Sequence, residues 1–511
     1  MLLLGIDLGT SSIKVSVVTA ETQELIASSF YPETEADIIT LHPGWAEQSP
    51  DQWWEYVKQA ILICHSLKLY DPADIAAIGI AYQMHGLVLI DKDQQVLRNS
   101  IIWCDSRAVE IGNKAFHEIG EEKCLAHLLN SPGNFTASKL AWVKETEPAV
   151  YSKIDKVMLP GDFIAMKMTG ACTTTVSALS EGIFWDFKEN KISKDVLDYF
   201  QIDESLFPNI QPLFSPHGYV KETVATLLSL KRGIPVTYKA GDQPNNALAL
   251  NVMNPGEVAA TAGTSGVIYG VSDQLNYDLQ SRINSFAHVN HEATKQRIGI
   301  LLCINGVGIF NRWIKNITGG TTYAGLNEAA GKVPVGADGL IALPFGNGAE
   351  RMLNNQLIGG QFHNLDFNKH TTAHMIRAVQ EGIAFSFRYG LDIMRENACL
   401  PDKQEMNPLI IRAGKANMFL SNVFTTSFAN TNKVAIEFYE GDGSFGAAIG
   451  AGIGAGIYPD AAAATENRKP VGTVEPEQEN RYEELYQQWK LKLKNQLHKS
   501  SEVQTESFSL S

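Results

Sequence analysis

No two cysteines in this 511-residue chain are spaced as C-x-x-C. The six present, Cys64, Cys104, Cys124, Cys172, Cys303 and Cys399, are scattered, which argues against paired-cysteine chemistry and reads as idle thiols of a reducing cytosol. Positive charge is also scarce. With 42 Lys and Arg against 56 Asp and Glu, the net charge is −14, so neither nucleic acid nor an anionic membrane finds a basic face. No apolar run reaches the ~18 residues of a membrane span. Residues 1–7 lack the basic flank and cleavage site of a leader, so the expected location is cytoplasmic. There is no G-x-x-x-x-G-K-[ST], which excludes P-loop chemistry, and neither H-R-D nor D-F-G, which excludes a protein kinase.

What the chain does have is Gly-Thr-Ser twice, each time at the end of an apolar strand: Gly9-Thr10-Ser11 and Gly263-Thr264-Ser265. A glycine in a tight strand-to-strand turn lets successive backbone N–H groups converge on an anion, with hydroxyls beside them. One such turn in each half predicts a duplicated α/β architecture whose halves grip one polyphosphate from opposite sides. Apolar patterning predicts strands over 2–8 and 13–19 around the first turn, and over 257–261 and 267–271 around the second. Further strands are expected over 77–81, 87–91, 236–240 and 408–412, with helices over 50–67, 308–316, 370–396 and about 477–498. Asn254-Pro255-Gly256 marks the domain boundary. This divides the chain into residues 1–250, 251–465, and a terminal helix with a disordered tail over 466–511.

Asp7, two residues before the first turn, is placed to hold Mg²⁺ through water at the β- and γ-phosphates, because Mg²⁺ takes one or two carboxylates and keeps several waters. The bland reading is an acidic turn residue. Lys14 is either a point charge toward a phosphate or a solvated strand-end lysine. Asp242, at a strand end in Gly241-Asp242-Gln243, suits a base that orients an attacking hydroxyl and takes its proton, which contributes about 10²–10⁴-fold. Gln83-Met84-His85-Gly86 breaks an apolar strand pair with polar groups, and Trp103-Cys104-Asp105-Ser106-Arg107 follows soon after. Together they suit a polyol pocket, with fixed donors and acceptors beside an aromatic wall.

His288 and His291 have the spacing of a metal pair, but without a third ligand cluster a structural role is expected. Gly441-Asp442-Gly443-Ser444-Phe445-Gly446 matches G-x-G-x-x-G, yet too little sheet follows it for a dinucleotide domain. It reads as a helix-capping turn packed near the nucleotide. The Ala/Gly run over 447–456 suits close helix packing.

At these residues the chain resembles the FGGY family of carbohydrate kinases. Their α/β fold sets two ribonuclease-H-like domains around a catalytic cleft, as in actin, hexokinase and the 70-kDa heat-shock ATPases. The resemblance runs from residue 5 to about residue 456. It takes in Gly5-Ile6-Asp7-Leu8-Gly9-Thr10-Ser11, the 103–107 segment, Thr136-Ala137-Ser138-Lys139-Leu140-Ala141-Trp142, Gly241-Asp242-Gln243 and the second Gly-Thr-Ser. Gln83-Met84-His85-Gly86, Pro43-Gly44-Trp45-Ala46-Glu47-Gln48 and Met158-Leu159-Pro160-Gly161-Asp162 look like the xylulose-phosphorylating members. Glycerol-phosphorylating members carry an Arg-Glu pair at the first of these segments.

The resemblance implies an ATP- and Mg²⁺-dependent phosphotransferase acting on a small sugar, D-xylulose. It implies that Asp242 is the catalytic base and that Asp7 and Asp242 hold Mg²⁺ through water. It further implies that Gln83, Met84, His85, Trp103, Asp105 and Asn246 contact the sugar. Gly9, Thr10, Ser11, Lys14, Gly263, Thr264, Gly308, Asn311, Ala413, Gly414 and Asn417 are expected at the nucleotide. A homodimer is the family-based expectation. A kinase for ribulose, sedoheptulose or gluconate stays open, as does an ATP-binding sensor that kept the fold and lost transfer. Two segments depart from the family pattern. Arg412-Ala413-Gly414-Lys415 stands where many relatives have Gly-Gly-Gly-Ala, so its side chains are expected to narrow or re-aim the adenine pocket. Phe345-Gly346-Asn347-Gly348-Ala349-Glu350-Arg351 replaces Leu-x-Gly-Glu-Arg.

Overall fold

The computed structural model describes residues 1–320, 322–398, 400, 409–478 and 481–509, so Cys399 lies outside the described residues. Strands β1 (Leu2–Leu8) and β2 (Ile13–Thr19) close the first hairpin, with Asp7 paired opposite Lys14. β3 (Leu25–Tyr31) continues the antiparallel ribbon. On the other side β4 (Ile75–Tyr82) and β5 (Val236–Gly241) add in parallel, giving the order β5-β4-β1-β2-β3. β1, β4 and β5 are buried along nearly their whole length, as strands covered on both faces must be.

The second half repeats this plan. β6 (Val258–Ala262) and β7 (Gly266–Ser272) close the second Gly-Thr-Ser hairpin. With β8 (Asn284–Ala287), β9 (Ile298–Ile304), β10 (Leu409–Gly414), β11 (Val434–Tyr439) and β12 (Gly472–Val474) they form a sheet ordered β8-β9-β7-β6-β10-β11-β12. Its central strands β11-β10-β6-β7-β9 reproduce the order and directions of the first sheet. Both halves are therefore ribonuclease-H-like.

Helix α1 (Pro50–Ser66) starts on a Ser49 cap with proline in its first turn, and buries Trp53, Trp54, Val57 and Ile61 against the first sheet. The helices that matter for the site are α2 (Val176–Glu181), α3 (Asp242–Ala249), α4 (Gly308–Ile317), α5 (Thr372–Glu396), α6 (Gly443–Gly454) and α7 (Tyr482–Ser509). α6 departs from the sequence expectation. Late in the chain and assigned with the second domain, it packs on β1, β4 and β5 of the first. The reason is steric: a Cβ at Gly5 would run into the Ser444 carbonyl, and one at Gly79 into that of Ala447, so the Ala/Gly helix lies directly on the sheet. Downstream, the Tyr458 hydroxyl donates to the Ala20 carbonyl at 2.6 Å, keeping this segment on the first domain.

α7 docks on the second domain, with Trp489 Nε1–H donating to the Ala342 carbonyl at 2.9 Å. It runs to Ser509, past the expected end near 498, where a disordered tail was predicted; no glycine or proline interrupts that stretch. Among the described residues no helix is long and apolar enough to cross a membrane, and the five described cysteines are free.

Candidate active site

Because β1, β4 and β5 run parallel, their carboxyl ends bring Leu8, Tyr82 and Gly241 level at one edge of the sheet, with Asp7 one residue before, the usual place for a ligand in an open α/β fold. Asp242 follows as the first residue of α3, and Asn246 sits one turn later on the same helix face. Burial raises the Asp242 carboxyl to about 6. Asp7 is raised further, to about 7, first by burial and then by the charges of Asp242 and Asp442, with Lys14 working against them. Lys14 Nζ lies 3.7 Å from Asp442 Oδ2, both half-exposed, a weak pair that leaves the lysine at the rim of the cleft. Asp442 also caps α6, accepting the amides of Ser444 and Phe445 at 3.1 and 3.2 Å. The G-x-G-x-x-G segment is thus a helix cap. A Cβ at Gly443 would overlap the Asp7 carboxylate, so glycine brings the cap against the acid.

On one side of these carboxyls a directed relay joins the first hairpin to the Gln83 segment. Trp103 Nε1–H donates to Thr10 Oγ1 (2.9 Å), whose hydroxyl donates to Gln83 Oε1 (3.3 Å). Gln83 Nε2–H donates to Gln48 Oε1 (3.0 Å), and Gln48 Nε2–H returns to the Thr10 carbonyl (2.9 Å). Gln83 is therefore a strut, while Trp103, 52% exposed, offers an open aromatic face. Ser11 is exposed at the tip of the hairpin beyond Gly9.

Met84 packs against Gly241, where a Cβ would come within 2.6 Å of Met84 Cγ. His85 Nδ1–H donates to the Glu181 carbonyl at 3.0 Å, leaving Nε2 as an acceptor, and burial keeps the ring neutral, with its pKa lowered to about 3. Phe135 and Phe286 pack on that ring at 4.9 and 5.3 Å between centroids. Lys139 Nζ ties the segment down by donating to the carbonyls of His85 (2.9 Å) and Ile102 (3.0 Å).

Asp105, expected to contact the sugar, has both oxygens engaged by the protein. Its oxygens accept from the Ala46 amide at 2.6 Å and from the Arg107 guanidinium, and the side chain is fully buried. Glu181 was missed by the sequence reading. It is a buried carboxyl beside Gly241, pushed well above the ordinary range by burial, and neither oxygen has a well-aligned donor. Gln48, Phe135 and Phe286 were missed too, since their roles exist only through contacts distant in sequence.

In the second half a cavity of about 470 Å³ is lined in part by Gly263, Thr264, Gly308, Asn311 and Asn417. Arg312, Tyr323, Asn327 and Ser421, which no motif marked, also line it. The first amides of α4 dock on the hairpin, Gly308 N–H donating to the Gly263 carbonyl (2.9 Å) and Ile309 N–H to that of Thr264 (3.1 Å). Ala413 does not reach this cavity: it is fully buried in β10, paired with Ala260 and Phe438 on the flanking strands. Gly414 ends that strand with open space beside it. Arg412 does not re-aim the cavity either, because it pairs with Glu257 and Glu437 at 3.2 and 3.3 Å. His288 is held by the Tyr269 hydroxyl at 2.9 Å, and His291 Nδ1 accepts the Arg297 amide at 3.2 Å. Among the described residues no group of three His, Cys, Asp or Glu side chains is arranged to hold a metal ion.

Two ribonuclease-H-like halves, the first with two buried carboxyls at the end of its sheet and the second with a cavity beside its hairpin, have the architecture of a carbohydrate kinase. Residues 2–249 match the N-terminal domain of the FGGY family of carbohydrate kinases. Xylulose kinase of Escherichia coli K12 is 30% identical over 400 residues, 78% of this chain and 79% of that one. The chain belongs to the FGGY family, whose members are phosphotransferases of the actin and hexokinase fold. The crystal structure of xylulose kinase from Rhodospirillum rubrum aligns over 98% of this chain and 99% of its own, with TM-score 0.82 at 25% identity. Gluconate kinase from Lactobacillus acidophilus aligns over 97% and 98%, with TM-score 0.85 at 22% identity.

Proposed function

We propose that this chain transfers the γ-phosphoryl group of ATP to the carbon-5 hydroxyl of D-xylulose, with Asp242 as base. The observation that carries the reading is Asp242 itself, the first residue of α3 at the end of parallel strand β5, where Gly241 lies against Met84, with its carboxyl raised to about 6. A base with that pKa is ionised at neutral pH yet basic enough to accept the hydroxyl proton as the new P–O bond forms. His85 Nε2 accepts a sugar hydroxyl, and the Phe135 and Phe286 rings exclude water from that end. Thr10, Ser11 and Lys14 meet the phosphates from the first domain, and Gly263 and Thr264 from the second.

Asp7 and Asp242 suit Mg²⁺ held through water. Burial and the charge of Asp242 hold the Asp7 carboxyl from ionising, and a cation between the two would relieve both effects. When bound, the ion neutralises charge building on the phosphates. The reading predicts that Asp242→Asn lowers kcat by about 10³-fold, with ADP affinity unchanged and a melting temperature no lower than that of the unmodified protein, since a carboxyl whose pKa is raised by burial is relieved by the amide. Steady-state assays beside thermal melts check it; a variant of near-normal turnover would move the base elsewhere.

A further inference from the structure

We infer that Arg351, carried by the second half of the chain, is a sugar-binding residue whose guanidinium closes over the Met84–His85 pocket and donates hydrogen bonds to oxygens of the bound ketose. This rests on the sugar-kinase reading above and adds a contact to it from the opposite domain. Arg351 ends the segment that departs from the family pattern, and its two acid–base side chains part ways. Glu350 is fully buried and accepts the Asn305 amide at 3.0 and 3.1 Å, pinning the loop at the end of β9. Arg351 instead reaches the first domain, with Cζ 5.7 Å from the centre of the Phe135 ring that packs edge-on against His85.

The guanidinium has few protein acceptors there. Nη1–H donates to Asn284 Oδ1 at 3.1 Å, and no carboxylate among the described residues lies within ion-pair distance. Burial works against its charge, and Cys303 is the ionisable neighbour acting on it. A guanidinium carries five N–H donors and keeps its charge at any ordinary pH, and a charge taken out of water is costly unless it is hydrogen-bonded. The nearby groups cannot serve: Phe135 and Phe286 are apolar and His85 is neutral, its ring already under the influence of Arg351. Arg351 is partly open to solvent, so a ligand that displaces water from it has to replace those acceptors. A ketose, with an oxygen on every carbon, supplies them. Lys139 is no substitute, since its ammonium is engaged by the carbonyls of His85 and Ile102. Because Arg351 is not part of the nucleotide cavity's lining, its removal is expected to act on the sugar and spare the nucleotide.

Calorimetric titration of Arg351→Gln and Arg351→Lys with D-xylulose, and separately with ADP, tests this. D-Xylulose affinity is expected to fall about 10- to 100-fold in Arg351→Gln, as for loss of a hydrogen bond to a charged group, and less in Arg351→Lys. ADP affinity should stay within about two-fold in both. In the unmodified protein, D-xylulose is expected to slow phenylglyoxal modification of Arg351, mapped by mass spectrometry, which needs no variant to fold. Unchanged sugar affinity in folded Arg351→Gln, equal loss of sugar and ADP affinity, or modification indifferent to saturating sugar would each overturn the inference. If the unmodified protein binds another ketose and not D-xylulose, the substrate assignment fails, and Arg351 protection is read with the ketose that binds.

Discussion

Asp242 and Asp7 stand close enough for the charge of one to raise the other, and the consequences have opposite signs for activity and stability. Above about pH 6 Asp242 is ionised and can take a proton; below that it is protonated and idle. The kcat/KM for the sugar is therefore expected to fall as the pH drops below about 6 and to level off above about 7. A flat profile between pH 5 and 8 would place the base elsewhere. Asp7 has a folded-state pKa of about 7 against 3.8 unperturbed, so its contribution to folding is complete below about pH 4 and is lost as the pH rises through 7. Asp7→Asn should raise the melting temperature of the ligand-free protein at pH 8 by about 2–6 °C, the gain shrinking toward pH 5. A lower melting temperature at pH 8 would contradict the raised pKa. Asp7, Asp242 and His85 were legible in the sequence because each interrupts or ends an apolar strand. The partner of Asp105 was not legible, because the Arg107 guanidinium that occupies it packs on Trp45 and Trp142, at 3.8 and 4.8 Å, which no local pattern announces.

At the scale of elements, the two hairpins were the most readable parts of the chain. Alternation and a turn glycine are local signals, and the first hairpin's strands fall on the residues they indicate. Which helix closes on each tip is not local. α4 meets the second tip so closely that a Cβ at Gly308 would run into the Gly263 carbonyl. Gly308→Ala is expected to weaken ADP binding by about 10-fold or more while sugar affinity stays within about two-fold, a steric clash of this kind costing ~1–3 kcal/mol. Equal losses at both sites would mean that α4 supports the whole cleft. Gln48 makes the same point for the first tip: it lies in a segment resembling relatives, but its bonds to Thr10 and Gln83 appear only when β1 and β4 are side by side.

At the scale of the molecule, the repeated strand order is what makes a cleft with a hairpin on each wall. Duplication was legible from the paired turns, whereas the return of α6 to the first sheet was not, because it depends on glycines at positions 5 and 79 facing a helix some 370–440 residues later. The architecture does not choose the sugar: a gluconate kinase superposes as well as a xylulose kinase, with TM-scores of 0.85 and 0.82. On the proposed reading, specificity comes from the Met84–His85 segment and what closes on it. The direct measurement is ATP consumption in Mg²⁺ with and without D-xylulose, run beside D-ribulose, glycerol and gluconate. The account predicts strong stimulation by D-xylulose alone, reduced by about 10³-fold in Asp242→Ala. ATP turnover that ignores every one of these compounds would contradict it, leaving a nucleotide-binding protein that transfers nothing to a sugar.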